Sequence, residues 1–269
     1  SIQFQPGEIV EYFRRKLPKI ARKEDVLSYL DRVGDANLLQ QKGRNAFEVA
    51  TASFADVRKW SGQLMDEGPV ESVWTPQGIH WTLKDLVPAY AAVHAQRARL
   101  KPREEKILTL VREKPRSHKD LARLTKMEKD DLNEALRKLE RAYLLGRRGV
   151  EETVYFARDP QRANFEEALD KLLAKRLEVD GPHSTQELAV ALGLEVDLVE
   201  EVLRDLETEG AVSSGHFLVD KEFQYMMTRD LQRIQRKGET REVFDEGQGK
   251  AFLLEKQFRG IDTLDDYFD

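Results

Sequence analysis

Apolar residues between positions 165 and 177 recur at helical spacing, with Phe165, Ala168, Leu169, Leu172 and Leu173 on one face. Gly181-Pro182 ends that period. Ser184 then stands where an N-cap belongs, and Glu187, three residues on, completes a capping box for a short helix over 185–192. Gly193 offers the left-handed residue that closes it. A longer helix over about 196–209 gathers Val199, Val202, Leu203 and Leu206 on one side, and Gly210 stops it. The run 212–219 then reads as two short strands folded tightly around Ser214-Gly215.

The same order occurs earlier in the chain. Positions 104–113 form a helical period with Ile107, Leu108 and Val111 inward. Pro115 separates it from a short helix over 117–125 capped by Ser117, and a third helix over 129–142 buries Leu132, Ala135, Leu136 and Leu139. Strands are expected at 143–145 and 153–156, joined by a basic loop that contains Gly146-Arg147-Arg148-Gly149. A first, less regular copy has helices over 24–33 and 54–65, strands over 70–75 and 79–82 around Pro76-Gln77-Gly78, and a helix over 83–94. Helices followed by a β-hairpin, repeated, predict a mostly α chain with small β-hairpins, arranged as tandem winged-helix (helix-turn-helix) units. The expected divisions are residues 1–96 (an N-terminal helix and the first unit), 97–160 (second unit), 161–220 (third unit) and 221–269 (C-terminal helices and tail).

Composition narrows the chemistry. The 269 residues include no cysteine, which excludes disulfides, thiolate zinc sites and iron–sulfur clusters and fits a reducing compartment. No apolar run is long enough to span a bilayer, so a cytoplasmic, nucleoid-associated location is expected. Five scattered histidines offer no metal-ligand spacing, and Gly247-Gln248-Gly249-Lys250-Ala251 lacks the spacing and hydroxyl of a P-loop, so no cofactor is expected. The chain begins at Ser1, which suggests a processed chain or a piece of a longer one.

The net charge of −5 argues against nucleic acid until its distribution is considered. Positions 97–148 hold 17 Lys and Arg against 9 Asp and Glu, whereas the rest of the chain holds 27 against 40. The third unit's long helix carries Glu195, Asp197, Glu200, Glu201, Asp205, Glu207 and Glu209 against Arg204 alone, a face that repels phosphate. The second unit instead offers Arg116, Lys119, Lys126, Lys129, Arg137, Lys138 and Arg141, with Arg147 and Arg148 expected at its wing tip. Asp130, Asp131 and Glu134 sit at the start of its third helix, where base contacts usually arise, so sequence-tolerant backbone binding is expected. A second cationic strip comprises Arg14, Arg15, Lys16, Lys19, Arg22 and Lys23.

Trp74, Gly78, His80 and Asp85, in the hairpin of the first unit, resemble the hairpin of the AlkZ/YcaQ-like winged-helix DNA glycosylases, with Gln77 where that family has Arg. The third unit is similar to the C-terminal region of Lhr-type large helicases through Gly181-Pro182, Glu187-Leu188-Ala189, Leu192-Gly193-Leu194, Glu209-Gly210 and Gly215-His216-Phe217, as is the stretch Asp230-Leu231-Gln232-Arg233-Ile234. The resemblances imply a DNA-binding repair or replication accessory protein, with glycosylase action on damaged bases as an alternative. For glycosylase chemistry the family's Gln-x-Gln motif has the adjacent Gln40-Gln41 as its counterpart here, and the candidates are Gln40, Gln41, His80 and Asp35. The adjacent spacing does not place two glutamine side chains on one side of a strand, so a non-enzymatic DNA binder is the first expectation. The tail 261–268 resembles a peptide that docks on the PCNA sliding clamp, through Leu264, Tyr267 and Phe268, which makes the clamp a candidate partner and an interaction scaffold a third reading.

Overall fold

The computed structural model describes residues 2–159, 161–219 and 221–246, with side chains to residue 238. The expected mostly α fold with small hairpins is what it contains. The first segment holds α1 (Pro6–Lys16), α2 (Lys23–Val33), β1 (Asp35–Ala36), α3 (Phe54–Glu67), β2 (Val70–Thr75), β3 (Gly78–Leu83) and α4 (Val87–His94). The second holds α5 (Pro102–Glu113), β4 (Arg116–Ser117), α6 (His118–Thr125), α7 (Lys129–Arg141), β5 (Leu145–Arg148) and β6 (Val154–Ala157). The third holds α8 (Phe165–Asp180), α9 (Thr185–Leu192), α10 (Val196–Thr208), β7 (Val212–Gly215) and β8 (Gln224–Met227), followed by α11 (Thr228–Glu246). Sheets are antiparallel, in the orders β1-β3-β2, β4-β6-β5 and β7-β8. Among the described residues no helix is long and apolar enough to cross a membrane.

The capping serines act as their spacing predicts. Ser117 Oγ accepts from the Asp120 amide and Ser184 Oγ from the Glu187 amide, both at 3.1 Å, filling donors that a helix start leaves open. Gly193 closes α9 at φ +64°, and Lys126 closes α6 in the same left-handed region at φ +55°.

Two hairpins differ from expectation. The third hairpin is not a tight turn around Ser214-Gly215: β7 continues to Gly215 and pairs with Gln224–Met227 across a longer connection. Tyr225 and Met226 are buried there, so the strand's apolar content was the missed signal. In the second hairpin, Arg147 and Arg148 lie within β5, paired with Tyr155 and Val154. The turn is displaced to 149–153, where Gly149 at φ +106° reverses the chain, and its tip carries Glu151 and Glu152. The tip of this hairpin, expected to be basic, is therefore acidic. The stretch 83–94 is also not one helix, since a 3-10 turn over Lys84–Leu86 precedes α4.

The segments share core. One cluster joins Val73, Leu86 and Tyr90 to Tyr143 and to Leu169, Leu173, Leu188 and Leu203. Tyr143 adopts φ +59°, unfavourable for a bulky residue, at the place after α7 that Gly210 takes after α10. Its side chain compensates: it is fully buried, and its hydroxyl donates to the Trp74 carbonyl at 2.6 Å. Next to it, Ser72 of β2 accepts from the Arg147 amide at 2.8 Å, and its carbonyl accepts from Arg158 at 2.9 Å. The first two hairpins thus lie side by side. Tyr143→Phe removes the cross-segment hydrogen bond while keeping the ring, leaving the Trp74 carbonyl without this donor. A loss of about 1–2 kcal/mol in denaturant unfolding is expected; an unchanged midpoint would show that this bond does not hold the segments together.

Candidate nucleic-acid interface

Polar chemistry gathers in a cationic groove on the second segment and in a buried ionic cluster that α8 completes around Asp35 of the first. The groove runs between the segment after α4 and the last turns of α7. Arg97, Arg99, Arg137, Lys138 and Arg141 line a cavity of ≈ 410 Å³, with Glu134 as the one carboxylate in its lining. Its wall is fixed by the Gln96 amide, which donates to the Arg141 carbonyl at 2.8 Å, and by Lys138 Nζ, which donates to the Arg99 carbonyl at 2.8 Å. The first of these bonds also satisfies a carbonyl at the α7 C-terminus. Lys138 further reaches the buried Glu104 at 3.3 Å. Burial would raise the Glu104 pKa, but the Lys101 amide and the Lys138 and Arg103 cations hold it below its ordinary value. Arg141 is partly ordered by stacking over the Trp74 ring at 5.6 Å.

The candidate cations divide by their surroundings. Arg137, Lys138 and Arg141 are together in the groove, whereas Lys119, Lys126 and Lys129 are exposed on α6 and the start of α7, outside its lining. Arg116 is held by the Leu110 carbonyl and Glu113. Arg147 makes two bonds to the buried Glu140, at 2.8 and 2.6 Å, and Arg148 lies against Phe156. Of the carboxylates at the start of α7, Asp131 and Glu134 face Arg103 at 3.5 and 3.1 Å. Arg97 and Arg99 were not among the residues singled out from sequence. Their signal was the arginine density of Gln96-Arg97-Ala98-Arg99, which periodicity assigns to no helix.

In the first segment β1, β3 and α4 converge on Asp35. Its Oδ2 lies 2.6 Å from His80 Nδ1, and its Oδ1 accepts from Tyr90 Oη at 2.7 Å. Burial alone would raise its pKa; the His80 hydrogen bond and the Arg44, His80 and Arg176 charges overcome this and hold the carboxyl well below its usual range. Arg44 also donates to the Val33 carbonyl at 2.7 Å and, with Arg176, contacts Asp180 at 3.3 and 3.2 Å. The candidates Asp35 and His80 are therefore together, but enclosed. Both are about 5–6% exposed, and the adjoining cavity is ≈ 10 Å³. Pockets for small organic ligands run to about 300–1,000 Å³, so this cavity does not admit a base. Gln40 and Gln41 lie elsewhere, exposed on the loop after β1, where Asn37 Oδ1 accepts from the Leu39 and Gln40 amides. Asp85 is exposed in the 3-10 turn. Among the described residues no three His, Asp or Glu side chains converge as a metal site. Leu264, Tyr267 and Phe268 lie outside the described residues, as does the Gly247–Ala251 stretch.

His94 completes this interior. Burial, opposed by Asp35 and assisted by Arg176, pushes its pKa from 6.5 down to about 4. In the unfolded chain it would take a proton near pH 6.5, which the folded chain refuses until about pH 4. Stability is thus complete above the higher value and is lost as pH falls through this window, by up to roughly 3 kcal/mol. Asp35 stays ionised across it. Urea midpoints should fall from pH 6.5 to 4, and His94→Gln should flatten that slope. An equal slope in the variant would assign the loss to other groups.

No protein-family model matches the sequence, and no curated protein does. Among solved structures, the chain is similar to the Streptomyces sahachiroi DNA glycosylase AlkZ, with a TM-score of 0.64 over 87% of this chain and 72% of that one, at 11% identity. At that identity the likeness shows the fold: mostly α, with small antiparallel hairpins.

Proposed function

We propose that the chain is a DNA-binding protein of tandem winged-helix units, a repair or replication accessory that grips the phosphate backbone without strong sequence preference. The observation that carries this reading is the groove of Arg97, Arg99, Arg137, Lys138 and Arg141. Among the described residues Arg97, Arg99, Arg137 and Arg141 have no ion pair, so a phosphate meets them without first displacing a carboxylate. The fold likeness to a DNA glycosylase supports the same partner. In this reading residues 97–160 form the unit that meets DNA, and the paired Arg116 and Arg147 are structural. Lys119, Lys126, Lys129 and Arg148 add outlying charge.

Binding of duplex DNA, followed by fluorescence anisotropy over a salt series, should weaken steeply as salt rises. Replacing Arg137 and Arg141 by Ala should lower the salt slope by about 1.8, since each lost phosphate contact is worth about 0.9. The variant should weaken binding similarly on unrelated sequences. If affinity and slope match the parent, the groove is not the DNA surface.

A second reading, glycosylase action on damaged bases, is favoured by the same fold likeness. Here the exposed Gln40 and Gln41 are the better candidates, because Asp35 and His80 are enclosed. Duplexes bearing alkylated, oxidised or deaminated bases should then accumulate abasic sites, and Gln40→Ala with Gln41→Ala should stop the release. No abasic sites on any of the three would remove this reading.

A further inference from the structure

Arg141 differs from the other free arginines of the α7 groove in what stands behind it. Its guanidinium lies over the Trp74 ring, 5.6 Å from the ring centroid, and makes no hydrogen bond or ion pair among the described residues. Trp74 is itself held, since its side chain packs against the shared core and its carbonyl accepts from Tyr143 at 2.6 Å. A guanidinium is planar, so an aromatic ring on one side leaves a flat face on the other. Arg141 is exposed and lines the ≈ 410 Å³ cavity, which that face therefore adjoins. The side chain is ordered before any ligand arrives, which lowers the entropy lost on binding.

The cavity offers more than a phosphate needs. Its volume falls within the range of about 300–1,000 Å³ found for pockets that take small organic ligands. Gln96, exposed in its lining, has a side-chain amide without a partner among the described residues, and an amide can both donate and accept. Paired bases are stacked inside a duplex and cannot enter such a cavity, whereas unpaired bases can be splayed out and stacked on a guanidinium plane. We propose that the groove binds single-stranded DNA, with phosphates at Arg97, Arg99 and Arg137 and one unpaired base stacked on the open face of Arg141, which Trp74 backs. Every base has such a face, so the selection is for unpaired over paired bases and not for one base over another. This rests on the DNA-binding reading and adds to it the state of the strand.

The full chain is titrated, by fluorescence anisotropy, with a short oligothymidylate and with an abasic strand of the same length, which has the same phosphates and no bases. Oligothymidylate should bind about tenfold tighter, the scale of one base stack. A duplex with a gap of a few unpaired thymidines should likewise bind tighter than the same duplex with the gap filled. Arg141→Lys, a change at an exposed position, keeps the charge and removes the plane, so the ratio between the two strands should fall to near one. Binding of both strands with equal affinity by the parent, or an unchanged ratio in Arg141→Lys, would overturn the proposal while leaving the DNA-binding reading in place. Failure of the parent to bind either strand or the duplexes would remove that reading, and this proposal with it.

Discussion

A carboxylate removed from water must receive its hydrogen bonds from the protein, and at Asp35 that requirement fixes three elements at once. His80 comes from β3, Tyr90 from α4, and Asp35 itself from β1. Arg44 and Arg176 add charge, and Asp180 bridges their guanidinium groups. Removing one partner of such a buried ionic cluster leaves an uncompensated charge, which costs about 3–5 kcal/mol. The cluster therefore confines the first hairpin and α8 to one arrangement. Gly34 shows how close that arrangement is: at φ +86°, a Cβ there would come within 2.6 Å of Tyr90 Oη.

The groove depends on this arrangement indirectly. Trp74 lies in β2, beside the hairpin half that Asp35 anchors through His80. Its carbonyl receives the Tyr143 hydroxyl, and its ring carries Arg141. Tyr143 follows the C-cap residue Ala142 of α7, so the bond that joins the segments also bears on where α7 ends. The left-handed conformation of Tyr143 is tolerated because its ring is buried in the shared core. Backbone strain at one residue is thus offset by contacts between segments, and the cationic end of α7 is held against the residues after α4.

Helices with strong amphipathic periods and serine caps were legible in the sequence, since their local signals agree with their tertiary fate. Ser117, Ser184 and Gly193 are examples. The hairpins were less so. Arg147 and Arg148 carry no strand signature, yet they lie in β5 because Arg147 finds Glu140 and its amide finds Ser72. The pairing of Asp35 with His80 joins residues 45 positions apart, and no local pattern encodes it. The sequence marks both as candidates, and the fold makes them neighbours in an enclosed interior. Arg97 and Arg99 lie in the connection between segments, where neither helical nor strand periodicity marks a face.

If DNA docks in the groove as proposed, its position on α7 bears on the kind of recognition it allows. In helix-turn-helix docking the N-terminal residues of the recognition helix reach the bases. Here that end of α7 carries Asp130 and Asp131, which stabilise the helix start and repel phosphate. The free arginines are at the opposite end, where their charge also opposes the negative end of the helix dipole. The acidic turn of Glu151 and Glu152 disfavours insertion of the second hairpin's tip into a groove. A backbone held at the C-terminal end of α7 leaves the base-reading end of the helix turned to carboxylates. Under the proposed reading, this charge distribution favours contacts to the phosphate backbone over readout of base identity.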